Sequence, residues 1–218
     1  MKNSFLKIIF LLFLTSCCCQ KKASFYSEKC LPNSMSNQNN CLSFYKNYEL
    51  PRYQVQKLVS EKIEIRNYQS KLVAEILVSG TRKEAVKTGF RALASYIFGN
   101  NISKTKIEMT TPVSQVKKSS NQWLIQFGVP HNFTLDSLPK PKNSHVVLRV
   151  VPAQKTAVII FSGVWSDEKF ATNLQELQKY LTANNLLTID EPSFAYYDDP
   201  FTFPWNRKNE IIWQIQEK

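Results

Sequence analysis

An internal repeat constrains this chain more than any other feature of it. Arg66, Ala74, Ser79 and Gly80 recur 83 positions later as Arg149, Ala157, Ser162 and Gly163. Further on the shift becomes 84: Phe90, Leu93, Tyr96, Ile97, Asn100 and Asn101 return as Leu174, Leu177, Tyr180, Leu181, Asn184 and Asn185. The residues between carry a consistent pattern. Ile63 and Ile65 alternate with Glu64 and Arg66, as a strand requires, and residues 72–78 form a second, apolar strand ending at Ser79-Gly80. Over 82–98, Ala85, Val86, Phe90, Leu93, Ala94 and Ile97 fall on one helical stripe, and Gly99-Asn100 supplies the stop. Strands are expected near 106–115 and 122–129. The second copy closes through 193–198 and 210–216. Two such copies predict an α+β fold, a distorted eight-stranded antiparallel barrel with two flanking helices. Hairpins imply antiparallel pairing, and closure hides strand edges.

Composition removes several classes of function. The 5 glycines, Gly80, Gly89, Gly99, Gly128 and Gly163, are dispersed, so no glycine-rich loop exists to cradle a phosphate. Two histidines, with the cysteines mostly N-terminal, argue against a zinc site. Hydrophobic residues at 43% are enough for one packed domain.

Residues 1–19 read MKNSFLKIIFLLFLTSCCC. Lys2 and Lys7 precede an apolar run over 8–14 that is too short to span a bilayer and fits the core of a secretory signal. Leu14-Thr15-Ser16-Cys17 resembles a bacterial lipobox, which implies cleavage after residue 16 and a lipid on Cys17. The alternative is ordinary cleavage near Cys19 and a free secreted or periplasmic protein. Loss of residues 1–16 removes Lys2 and Lys7 and no acid, so 28 cations become 26 against 17 acids, and the net charge goes from +11 to +9. That surplus favours an anionic partner, and export argues against nucleic acid. Residues 17–50 are expected to be a flexible tether, because 33–40 (NSMSNQNN) has seven Asn, Ser or Gln in eight positions and no charge. In an oxidising envelope Cys30 and Cys41 could close a small loop, with the pairing left open. Cys18, rather than an aspartate, follows Cys17, which favours the outer membrane over the inner.

Four segments within the remaining domain, residues 51–218, resemble the SOUL haem-binding family. They are IEIRNYQSKLVAE (63–75); GFRALASYIFGNN (89–101) followed by KIEMTTPV (106–113); FTLDSLPKPKN (133–143) leading into VPAQKTAVIIFSG; and AYYDDPFTFPWNRKNEI (195–211). The resemblance implies the fold of the bacterial effector-binding domain, a barrel from a duplicated βαββ unit. It also implies a haem or other tetrapyrrole in an apolar groove between the first helix and the loop before the last strand. Carried over, the groove residues are Lys87, Phe90, Arg91 and Ala94 facing Phe201, Phe203, Trp205 and Arg207. A flat apolar macrocycle with two propionates suits aromatic walls and a few cations.

His131 and His145 fall on neither groove element and read as surface residues, and Met109 as core, so no residue is assigned to a metal. Asp198-Asp199 would point to opposite sides of an extended chain, and no Gly-x-Ser-x-Gly elbow is present. The expectation is therefore a monomeric, non-enzymatic binding protein. The alternatives are a module for another amphipathic small molecule, and a small-molecule hydrolase.

Overall fold

The computed structural model describes residues 26–30 and 41–216. The leader over 1–16, the candidate lipidation site Cys17 and the polar run over 33–40 lie outside the described residues. A small antiparallel sheet of β1 (Tyr26–Cys30), β2 (Cys41–Tyr45) and β3 (Tyr48–Glu49) comes first. The main sheet contains β4 (Tyr53–Leu58), β5 (Ile63–Tyr68), β6 (Lys71–Ser79), β7 (Val113–Ser119), β8 (Gln122–Gly128), β9 (Val147–Val151), β10 (Gln154–Phe161), β11 (Leu187–Tyr196) and β12 (Asn209–Gln216). Helix α1 (Arg82–Ile97) follows β6, and α2 (Asp167–Ala183) follows β10.

The strand order is β4-β5-β10-β12-β11-β7-β8-β6-β9, antiparallel throughout. Set β4 aside and replace each strand by its repeat counterpart; the list then reads backwards. The first strand of each half is exchanged: β5 pairs with β10, and β9 with β6. Both halves turn from strand to helix on a glycine of nearly the same backbone, φ 125° at Gly80 and 123° at Gly163, a region that disfavours any side chain. The result is a curled antiparallel half-barrel carrying two helices. A ninth strand, β4, lies outside the duplicated eight as one edge, and β9 forms the other.

Alternation along β10 separates two cores. Ala157, Ile159 and Phe161 pack under α2 with Phe170, Leu177 and Leu181. Val158 turns the other way, to Tyr68, Ala195, Tyr197 and Ile212, and there it meets Tyr45 and Leu50. A third core joins α1 to β6 and β8 through Ala85, Leu93, Ile97, Ile76 and Ile125. Leu42, Tyr45 and Leu50 are thus buried, and the tether expected over 17–50 does not hold over 41–50, nor over 26–30, which pair with β2. Those residues read as polar only on average: three apolar side chains spaced along a hairpin find a sheet face to cover. Cys41 is disulfide-bonded, and the ladder sets Cys30 as its Cα partner.

The strand expected near 106–115 begins only at Val113. The Thr111-Pro112 peptide bond is cis and stands immediately before it. Buried Asn101 holds the preceding connection by donating to the Tyr96 and Thr105 carbonyls and accepting from the Thr105 N–H.

Candidate functional site

A cleft of about 1290 Å³ opens between α1 and the chain after β11. Its first wall is α1. The helix starts on a capping box, with the Thr81 hydroxyl accepting from the Glu84 N–H and the Glu84 carboxylate from the Thr81 N–H. Its sheet-facing side buries Ala85, Gly89, Leu93, Tyr96 and Ile97. Gly89 is needed there, since a Cβ would lie 2.5 Å from Ile125 Cγ1. The next face lines the cleft with two parallel rows at helical four-residue spacing: apolar Val86, Phe90 and Ala94 beside cationic Lys83, Lys87 and Arg91. Phe90 is 39% exposed and packs edge-on against Phe127 at 5.2 Å. Met109, Thr110, Thr111, Val113 and Gln115 supply the floor. Trp165 to Asp167 and Tyr196 to Pro200 form the far wall, with Lys46 and Tyr48 at one end.

The charges in this cleft are unevenly committed. Arg82 bridges the helix starts, donating 2.6 Å to Asp167 Oδ1 and 2.8 Å to the Tyr196 hydroxyl. Burial pushes the Tyr196 phenol above its ordinary value despite Arg82, so it stays neutral. The Asp198 carboxylate accepts from Tyr45, Lys46 and the Lys208 N–H. The Asp199 carboxylate accepts from the Phe201 and Thr202 N–H groups, which holds its pKa below the usual value. Among the described residues Lys83, Lys87 and Arg91 make no ion pair. Like charges one turn apart repel on a helix, so this row favours an anion beside it.

The structure places Lys87, Phe90, Arg91 and Ala94 together on the cleft wall and the other four expected groove residues outside its lining. Phe201, Phe203, Trp205 and Arg207 are not in the cleft lining. Arg207 turns back to donate to the Thr202 and Pro200 carbonyls and lies 4.5 Å over the Trp165 ring. With Pro200 and Pro204 rigid in φ, that grip turns the three aromatic rings outward, 94%, 62% and 70% exposed. Lys83 and Val86 were legible by extending the two helical rows back one turn. Met109 to Thr111 stand in the KIEMTTPV segment, and half-buried Met109 both packs against the core under α1 and lines the cleft floor. Nothing in the sequence pointed to Lys46 and Tyr48.

His131 and His145 do not line the cleft. The His131 backbone N–H and Nδ1 both meet the Glu49 carboxylate at 2.9 Å, which ties β3 to the turn after β8. His145 is exposed.

Comparison with known proteins gives one consistent answer. The model of the family described as SOUL heme-binding protein matches residues 48–214. Human heme-binding protein 2 is 31% identical over 182 residues, 78% of each chain. Among solved structures, the C-terminal domain of EcmrR superimposes with a TM-score of 0.57 at 13% identity, over 76% of this chain and 99% of that one. A hydrolase from Listeria innocua gives 0.55 at 14% identity, over 72% of this chain and 93% of that one. At such identities the structural likenesses establish the fold alone.

Proposed function

The chain belongs to the SOUL heme-binding protein family, and from that premise we propose that it is a non-enzymatic carrier holding haem or a related tetrapyrrole in the cleft beside α1. The observation that carries this reading is the pairing of an apolar row, Val86, Phe90 and Ala94, with an ion-pair-free cationic row, Lys83, Lys87 and Arg91. A macrocycle face needs the first and its propionates need the second. Apolar burial at ~25 cal/mol per Å² gives several kcal/mol for a few hundred Å². An exposed cation–propionate pair adds only ~0–1 kcal/mol. The lining residues fit the disc and its acids better than they fit the iron. They include one thioether, Met109, and no histidine. The cleft acids are engaged as acceptors for Arg82, Tyr45 and backbone N–H groups, which supports binding over acid–base chemistry.

We propose also that the carrier is an envelope lipoprotein anchored through Cys17, at the outer membrane rather than the inner, on the strength of the Leu14-Thr15-Ser16-Cys17 sequence. Both parts are tested on the full chain. Titrations with haem and with iron-free porphyrin, read at the Soret band, should give similar affinities. Phe90→Ala should weaken both more than Lys87→Ala, with melting curves confirming that each variant is folded. Replacing His131 and His145 together should change little; loss of haem in that folded variant would remove the cleft reading. Cys17→Ser should abolish labelling by a fatty-acid analogue, and persistent labelling would remove the anchor.

A further inference from the structure

The first residues of the loop after β11 line the cleft, but its aromatic rings do not, and the construction of the loop gives those rings another role. Residues 197–208 join β11 to β12, whereas the matching connection in the first half, from β7 to β8, is only residues 120–121. The longer loop is fixed at many points. Asp199 caps the Phe201 and Thr202 N–H groups. Arg207 holds two carbonyls of the loop, and Pro204 to Asn206 form a 3₁₀ turn. The Pro204 carbonyl accepts from the Gly163 N–H at 3.0 Å, which joins the loop to the turn before α2. On this rigid base Phe203 and Trp205 stack at 4.9 Å with an 8° interplanar angle, facing solvent with Phe201. Val164, next to Gly163, is 52% exposed beside them. A protein rarely displays such a group of apolar side chains without a partner for it.

Where the described chain begins indicates the partner. The Tyr26 ring, at the start of β1, lies 5.2 Å from Lys208 Nζ at the foot of the loop, and 5.3 Å from Tyr45. Tyr45 in turn donates to Asp198. The N-terminal segment therefore joins the fold beside the base of the aromatic loop. Cys17 precedes Tyr26 by nine positions, about 30 Å at full extension. An anchor at Cys17 would keep this end of the molecule against a bilayer. The net charge of +9 that remains once residues 1–16 are removed suits an anionic leaflet.

The geometry points to a lipid-bilayer docking tip, in which Phe201, Phe203 and Trp205 insert at the headgroup–acyl boundary while the α1 cleft stays above it. Aromatic rings carried on a polar, hydrogen-bonded base prefer that boundary. Insertion needs no rearrangement, because the loop already holds the rings outward. The choice of a bilayer as partner rests on the proposed anchor at Cys17; the contact made by the rings does not depend on which ligand the cleft takes.

The test uses the chain from residue 17 onward with Cys17→Ser, so that neither the apolar leader nor an acyl chain contributes, and its counterpart that also carries Trp205→Phe. Both are mixed with phosphatidylethanolamine–phosphatidylglycerol vesicles doped with brominated phosphatidylcholine. The chain has 4 tryptophans, and subtracting the two emission spectra isolates Trp205. Bromine should quench the Trp205 emission, and vesicles without bromine should not. Replacing Phe201, Phe203 and Trp205 together by Ser should lower vesicle partitioning by about tenfold or more. It should leave porphyrin affinity unchanged. If bromine leaves Trp205 emission intact, or the triple variant partitions like its parent, the docking tip is refuted. A loss of porphyrin affinity in the triple variant would also overturn it, by making the loop a lid on the cleft. Should the triple variant fail to fold, the Trp205→Phe comparison decides alone.

Discussion

At the scale of single residues, the most consequential group is a carboxylate that the function does not use. Glu210 is fully buried on β12 and receives both Arg66 Nη atoms at 3.0 Å, Lys208 at 2.9 Å and the Tyr197 hydroxyl at 2.6 Å. Burial alone would raise its pKa, but Lys208 and Arg66 outweigh it and bring Glu210 down to about 2 from 4.5. Lys208 is pulled down by burial and pushed up by Glu210, with the second prevailing, to about 12. A depressed carboxyl contributes stability that is complete above its unfolded pKa and is lost as pH falls toward the folded one. The window is therefore pH 4.5 to about 2, and the contribution is of the order of 3 kcal/mol. We expect the melting temperature to fall steeply across that window. Glu210→Gln should be destabilised at pH 7 by about 3–5 kcal/mol, because buried Lys208 loses its carboxylate and Arg66 keeps only Glu64, on its Nε. It should also lose most of that acid dependence. Thermal melts of both proteins from pH 7 to pH 2 would check this. Equal slopes would mean that Glu210 does not govern acid stability.

At the scale of elements, α1 sits at a distance from the sheet that one glycine sets. Ala is the better helix former by about 1 kcal/mol, so Gly89→Ala read from propensity alone should stabilise the helix. The structure reverses the sign. The added methyl would stand 2.5 Å and 2.9 Å from two Ile125 carbons and 3.3 Å from Ile76 Cγ2, all in the middle of a packed core. We expect a net loss of about 1–3 kcal/mol, measured by denaturant unfolding. Tetrapyrrole binding should weaken too, because lifting α1 moves Phe90 with it. An unchanged or increased stability would show that the helix can shift without cost. The same spacing explains why the apolar stripe of α1 is wider than its core contact. Ala85, Leu93 and Ile97 close onto the sheet, while Val86, Phe90 and Ala94 are left for the cleft.

At the scale of the whole molecule, the two halves are interlocked and unequal. Exchange of β5 and β9 means that each half completes the other's sheet, and burial of Tyr45 and Leu50 makes the N-terminal hairpin part of the same body. The hairpin over 41–50 thus packs with the strands that follow it, and β1 pairs with the hairpin. A chain cut before residue 51 loses Leu42, Tyr45 and Leu50 from the interior, each worth roughly 1.5–3 kcal/mol of burial. It also uncovers Tyr68, Val158 and Ile212. We expect that truncation to melt at lower temperature and to aggregate, whereas a cut before residue 26, which keeps β1 and its pairing, should not. Equal melting curves for the two truncations would place the hairpin outside the cooperative unit.

What the sequence determined by itself was everything carried by local periodicity and by repetition. The 83-residue shift, the glycines at 80 and 163, and the alternation along 63–68 impose two like units with a helix after the second strand of each, because backbone conformation and side-chain face are set by near neighbours. Half of the candidate site, Lys87, Phe90, Arg91 and Ala94, was named by the family resemblance, and these four share one wall of the cleft because spacing on a helix fixes a face. The tertiary structure alone decided the rest. Whether Phe201, Phe203 and Trp205 face the cleft or solvent depends on long-range bonds, from Gly163 to Pro204 and from Arg207 over Trp165, that no periodicity records. Lys46 and Tyr48 reach the cleft because the hairpin that carries them covers the opposite face of a strand more than a hundred residues away in sequence. The hydrophobic effect rewards area removed from water whatever its origin along the chain. A short apolar segment without internal order is therefore indistinguishable, in the sequence, from a tether until the surface that receives it is known.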